Sequence, residues 1–173
     1  MAKISRKKIK EFLKGVRILS RLTDMELESI LDIVKEIEIP VQRVIIKEGD
    51  IGDSMYLFAE GQVNVTKNLT LKLGKAGFSR AEKSMVHLDS KKVSFFGDMA
   101  MFDDAPRSAT ITASAKCLLY EIKRKDFEEV CLSNPELGFK ILREIVAVLC
   151  TRIRKGNQDV LKLSTALSIA LSQ

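Results

Sequence analysis

Apolar side chains recur along this chain with two periods, and the change between them divides it into parts. Residues 5–16 place Ile9, Phe12, Leu13 and Val16 at steps of three and four, which predicts an amphipathic helix. Residues 24–36 repeat the pattern with Leu27, Ile30, Leu31 and Val34, and Thr23 with Glu26 has the spacing of a capping box. From Ile37 the period shortens. Ile37, Ile39, Val41 and Val44-Ile45-Ile46 are β-branched and bounded by Pro40 and by Glu48-Gly49-Asp50. Gly52-Asp53 and Glu60-Gly61 bracket Met55-Tyr56-Leu57-Phe58, with Val63 and Val65 alternating beyond; Leu71–Leu73, Met85–Leu88, Ala109–Ala113 and Cys117–Ile122 supply further strands. Short strands at near-regular spacing predict a closed or double-sheet β unit. The stretch 67–92 carries many lysines and no clear period, and reads as a hairpin with a mobile, lysine-bearing loop over 74–83.

The helical period returns at Asp126–Cys131. Ser133-Asn134-Pro135-Glu136 then marks a second helix start: a capping side chain, a proline in the first turn and an acid at the positive end of the dipole. Val146, Leu149, Ile153, Gly156, Val160, Leu163, Leu167 and Ala170 continue by threes and fours in a heptad-like stripe. Gly156 is its weak point, costing about 1 kcal/mol relative to alanine. A bend or break is expected at Gly156-Asn157, dividing 135–155 from 158–172.

Composition narrows the class. With 173 residues, 46% of them hydrophobic, the chain can bury a core, and 30% charged residues set it apart from a membrane span. There is no run of eighteen apolar residues, and Met1–Lys8 is basic without the apolar stretch of a secretory signal. Cys117, Cys131 and Cys150 are odd in number and far apart; with the single His87 they form no metal spacing, and a reduced, cytoplasmic setting is expected. The net charge of +6 equals that of residues 1–17, where seven basic side chains face Glu11 alone. Such a patch suits nucleic acid, acidic lipid or an acidic partner, although a solvated helix face is the simpler account. No nucleophile–base pair or Walker-type loop is legible, so an enzyme is not expected.

The chemistry concentrates in Phe96-Gly97-Asp98-Met99-Ala100-Met101-Phe102-Asp103-Asp104-Ala105-Pro106-Arg107-Ser108-Ala109-Thr110. Glycine lets backbone approach a ligand closely, and N–H groups opening a helical turn point at an anion. Pro106 fixes the approach to Arg107, whose planar fork can make two charge-assisted bonds to phosphate oxygens. Asp98 adds acceptors suited to a sugar hydroxyl. Taken singly, each residue has a plainer role: Asp98 capping the short helix, Arg107 bridged to Asp103 or Asp104, Phe96, Phe102 and Tyr56 in the core.

This ordered set resembles the phosphate-binding cassette of the cyclic nucleotide-binding domain, the family of the bacterial catabolite activator protein, the regulatory subunits of cAMP-dependent kinase and nucleotide-gated channels. The family cassette runs Phe-Gly-Glu, two or three apolar or small residues, a short loop, then Pro-Arg, a small residue and Ala. Phe96-Gly97, Met99-Ala100, Pro106-Arg107, Ser108 and Ala109 match it, as do Glu48-Gly49-Asp50, Gly52-Asp53-Ser54-Met55-Tyr56 and the turn at Gly61. The resemblance covers about residues 18–172.

It implies an α+β fold, an antiparallel β-roll (jelly-roll-like, of two sheets) flanked by N-terminal helices and two C-terminal helices. Residues 1–17 would form a basic amphipathic helix, 18–134 the nucleotide-binding roll with its leading helix, and 135–173 the hinge and lid or dimerisation helices. It implies ligand-binding roles for Gly97, Asp98, Met99, Ala100, Arg107 and Ser108: Arg107 on the cyclic phosphate, the N–H groups of Met99 and Ala100 and Ser108 completing the cradle, Asp98 on the ribose 2′-hydroxyl. Asp98 stands where the family has glutamate, and is shorter by about 1.5 Å. The expected ligand is cAMP, with cGMP second, and no cofactor or metal is expected. The expected output is rearrangement of the C-terminal helix and a homodimer through it, with nucleotide ordering that helix further and an effector protein as partner. DNA binding is not expected from this chain alone. The alternative is a degenerate member that holds partners together without nucleotide.

Overall fold

In the computed structural model the described residues are 5–72 and 78–172, of which 69–72 and 78–85 are described by backbone alone. Helix α1 (Arg6–Gly15) and a 3-10 turn (Arg17–Leu19) lead into α2 (Asp24–Ile33). Thr23 and Glu26 close the capping box at α2's start: the Glu26 N–H donates to Thr23 Oγ1 at 3.3 Å and the Thr23 N–H to Glu26 Oε2 at 2.7 Å. The excess positive charge of α1 is largely met across this pair, with Arg6 on Glu28 and Asp32, Lys10 on Glu28, and Lys14 on Asp24.

Eight strands follow: β1 (Lys35–Ile39), β2 (Val44–Ile46), β3 (Ser54–Glu60), β4 (Gln62–Lys72), β5 (Phe78–Asp89), β6 (Phe95–Phe96), β7 (Thr110–Ala113) and β8 (Cys117–Lys123). They form two four-stranded antiparallel sheets, in the orders β1-β8-β3-β6 and β2-β7-β4-β5. Because side chains alternate across a strand, the first sheet feeds two cores at once. Met55, Leu57, Phe95, Tyr120 and Ile122 pack against the helices, whereas Phe58, Phe96 and Leu119 point between the sheets onto Val63, Ile111 and Ala113. This is a double-sheet β unit, as the periods predict, and the α+β roll that the resemblance implies.

The chain departs from expectation at several points. Residues 78–83 lie in strand β5, paired with β4 from Lys72↔Phe78 to Lys67↔Lys83, because cross-strand pairing overrides their irregular pattern. The remainder of the proposed mobile loop, 74–77, lies outside the described residues. Phe102 is 46% exposed rather than core, since it falls just after the 3-10 turn Asp98–Met101.

The larger correction concerns the C-terminus. After α3 (Arg124–Ser133), Asn134 caps α4 by accepting from the Leu137 N–H at 3.1 Å, and α4 runs unbroken from Pro135 to Leu171. There is no break at Gly156. A side chain there would meet nothing within 4 Å, so no packing requirement distorts the backbone. Each flanking residue adds a helical bond, and one unfavourable residue costing about 1 kcal/mol does not end such a run. Leu137, Ile141 and Ile145 anchor α4 in the helical core; residues 151–172 are exposed.

Candidate ligand site

Strand β6 delivers the site. It pairs with β3 through Tyr56↔Phe96 and Leu57↔Phe95, and Phe96 meets Phe58 edge-on with centroids 5.5 Å apart. Gly97 then turns the chain at φ +78°, a conformation that favours glycine. A side chain at Gly97 would also crowd Arg107 Nη1 and Ile46 Cδ1, both 3.1 Å from the added carbon. The turn Asp98–Met101 is held by buried Ala100 and Met101. The N–H groups that open it have no acceptor within the turn.

Arg107 reaches this turn from the far side of the loop. Its N–H donates to Asp50 O at 2.8 Å and its carbonyl accepts from Gly49 N at 3.0 Å, zipping the segment onto the Gly49–Asp50 turn. Its guanidinium donates from Nη1 to Gly97 O at 3.0 Å and from Nη2 to Ser54 O at 2.7 Å. It makes no ion pair among the described residues: Asp104 is taken by Arg124 at 2.6 Å. Burial lowers the Arg107 pKa, opposed by Tyr56 and Asp53, and an arginine remains charged throughout the physiological range. A half-buried cation held only by neutral carbonyls is a site for an anion.

Gly52 makes this pose attainable, because a side chain carbon there would fall 2.1 Å from Arg107 Nε. Below it, Tyr56 stands half-buried with its hydroxyl bonded to Ser54 and to buried Glu121.

Gly97, Asp98, Met99, Ala100, Arg107 and Ser108 all line one cavity of about 280 Å³, closed on its other side by Val65, Leu88 and Ile111. The mixture of a guanidinium fork without an acid partner among the described residues, N–H groups opening a turn and an apolar wall suits a small anion with an apolar or aromatic body. Asp98 does not cap the turn, since Gly97 occupies that position without a side-chain bond. Its carboxylate, 4% exposed, instead accepts from Arg152 Nη1 of α4 at 3.0 Å on each oxygen. Arg152 also lies over the Phe95 ring, 5.3 Å from its centroid, and lines the same cavity. Sequence reasoning missed Arg152: it lies 54 residues from Asp98, and the burial that makes Asp98 need a cation is set by packing. His87 is exposed on β5 beside Asn64, the cysteines are free thiols, and no metal-holding group of side chains occurs among the described residues.

Residues 36–134 match the family model of the cyclic nucleotide-binding domain. The chain belongs to that family. This cyclic nucleotide-binding domain is 30% identical over 128 residues to the cAMP-dependent protein kinase regulatory subunit of Dictyostelium discoideum, covering 73% of this chain and 36% of that one. It thus spans about a third of that relative's length. Its fold is shared with a cyclic nucleotide-binding domain from Methylobacillus flagellatus (TM-score 0.72, 23% identity, 90% of this chain and 82% of that one). It is shared too with the catabolite activator protein of Thermus thermophilus (TM-score 0.68, 23% identity, 86% and 63%). The family is regulatory and not catalytic. Among the described residues no helix is long and apolar enough to cross a membrane.

Proposed function

We propose that this domain is a cyclic nucleotide sensor that binds cAMP in preference to cGMP. The observation that carries the reading is Arg107: a charged fork with no acid partner among the described residues, lining the cavity beside the opening N–H groups of the Asp98–Met101 turn. Arg107 pairs with the cyclic phosphate, Met99 and Ala100 donate backbone N–H groups, Gly97 allows the approach, Ser108 contributes its hydroxyl or N–H, and Asp98 meets the ribose hydroxyl. Val65, Leu88 and Ile111 face the base. Calorimetry with cAMP and cGMP tests it: saturable binding of cAMP at lower concentration than cGMP is expected, and a clear preference for cGMP reverses the choice of base.

The signal is read out by rearrangement of α4. Val160, Leu163 and Leu167 are 63%, 70% and 60% exposed on one stripe, continuous with Ile153 and Val146. Val146, Ile153 and Val160 fall at a-type places and Leu163 at a d-type place of the heptad, the arrangement found in two-stranded coiled coils. Three or four leucine-sized side chains are worth about 5–10 kcal/mol gross when covered. A second copy of α4 is the partner proposed, with an effector protein downstream, in a reducing cytoplasmic setting where the three cysteines stay thiols. One observation favours a second reading, a domain that holds partners without nucleotide: Asp98 is already satisfied by Arg152. No heat with either nucleotide selects that reading.

A further inference from the structure

Helix α4 leaves the roll at Arg152. Before it, Leu137, Ile141 and Ile145 are buried, and Val148 and Leu149 pack on the same core. Beyond it, among the described residues, the side-chain bonds of α4 stay within the helix. Arg152 is therefore the last tether between a projecting helix and the β-roll, and its anchor is Asp98, a residue of the cassette itself. The two oxygens of Asp98 lie at equal distance, 3.0 Å, from one nitrogen, so Nη1 sits across the open edge of the carboxylate. The rest of Asp98 is enclosed, its side chain 4% exposed, against 45% for Arg152. Arg152 occupies the edge that bridges both oxygens, so a donor arriving from the cavity along that edge meets the guanidinium.

Resting on the nucleotide-binding reading, we propose that Arg152 and the ligand's ribose hydroxyl compete for Asp98, so that Arg152 determines how strongly this domain discriminates hydroxyl-bearing ligands. While α4 is tethered, the hydroxyl gains little, because Asp98 is already satisfied. When the hydroxyl takes the carboxylate, the bond between Asp98 and Arg152 opens at the point where α4 leaves the roll. Because the two events share one carboxylate, each weakens the other by the same factor.

The test compares cAMP with 2′-deoxy-cAMP by calorimetry, in the parent and in Arg152→Ala. The ratio of the two dissociation constants isolates the hydroxyl, since loss of the arginine's charge affects both anionic ligands alike. The ratio should lie within about threefold of unity in the parent and grow by about tenfold in Arg152→Ala, where the hydroxyl is the sole donor to a buried carboxylate. An equal or smaller ratio in Arg152→Ala overturns the competition. Should that variant fail to fold, the side-chain Nε–Hε resonance of Arg152, identified by its loss in Arg152→Lys, decides in the parent. It should move with cAMP and stay in place with 2′-deoxy-cAMP; the same shift with both overturns the proposal. If the parent binds neither nucleotide, the nucleotide reading itself falls, whereas binding with an unchanged ratio defeats the competition alone.

Discussion

Substituting Gly52 by alanine should separate binding from folding in this domain. The added carbon would fall 2.1 Å from Arg107 Nε and 2.4 Å from both Cζ and Nη2, overlaps that no side chain tolerates. The atoms in the way belong to the flexible end of an arginine, so the backbone has no need to move. The guanidinium swings out and gives up its bonds to Gly97 O and Ser54 O, at 3.0 and 2.7 Å. Hydrogen bonds to charged groups contribute about 1.5–3 kcal/mol each, but a half-exposed fork recovers most of that from water, leaving a stability loss near 1 kcal/mol. Binding suffers more. An arginine no longer aimed at the cavity forfeits its charge-assisted contact with the phosphate, about 1.5–3 kcal/mol, or roughly ten- to over a hundredfold in affinity. Thermal denaturation should show a drop of a few degrees, and calorimetry with cAMP the large loss. Undiminished affinity in Gly52→Ala would refute the assignment of Arg107's pose as the competent one; collapse of the fold would refute the claim that only a flexible end is displaced.

Arg107→Ala, which removes the fork outright, should weaken cAMP binding by roughly ten- to over a hundredfold, again read by calorimetry. Leu163→Asp with Leu167→Asp should yield a monomer in sedimentation if α4 pairs with a second copy; a monomeric parent, with and without nucleotide, rules the dimer out. Gly156→Ala should stabilise the domain by up to about 1 kcal/mol in denaturant titration, because the new methyl meets open space in an intact helix. Lys140, then the Thr23 backbone, holds the Glu26 carboxyl below the ordinary glutamate range. A depressed folded-state pKa stabilises above the unfolded value and loses that contribution as pH falls through the folded one. Stability should therefore decline as pH falls below the ordinary glutamate range, and Glu26→Gln should flatten that part of the profile in denaturant titrations.

Much of this domain was determined by local order in the sequence. The capping box at Thr23, the Asn134-Pro135 start of α4, the β-branched runs and the glycine turns at Gly49, Gly61 and Gly97 depend on neighbours a few residues apart, where periodicity and backbone sterics act. The six cassette residues line one cavity for the same reason: they are consecutive or joined by one short loop. What only the tertiary structure decided lies at long separation or depends on cooperativity. Residues 78–83 became strand because Lys67–Lys72 stands opposite them. Helix α4 ran through Gly156 because propagation along 37 residues outweighs one poor helix former. Arg107 found carbonyls rather than Asp103 or Asp104 because Gly52 leaves room for its fork, and no local spacing encodes that vacancy. Arg152 met Asp98 across 54 residues because the helical core lays α4 against β6, a contact set by packing and invisible to any window along the chain.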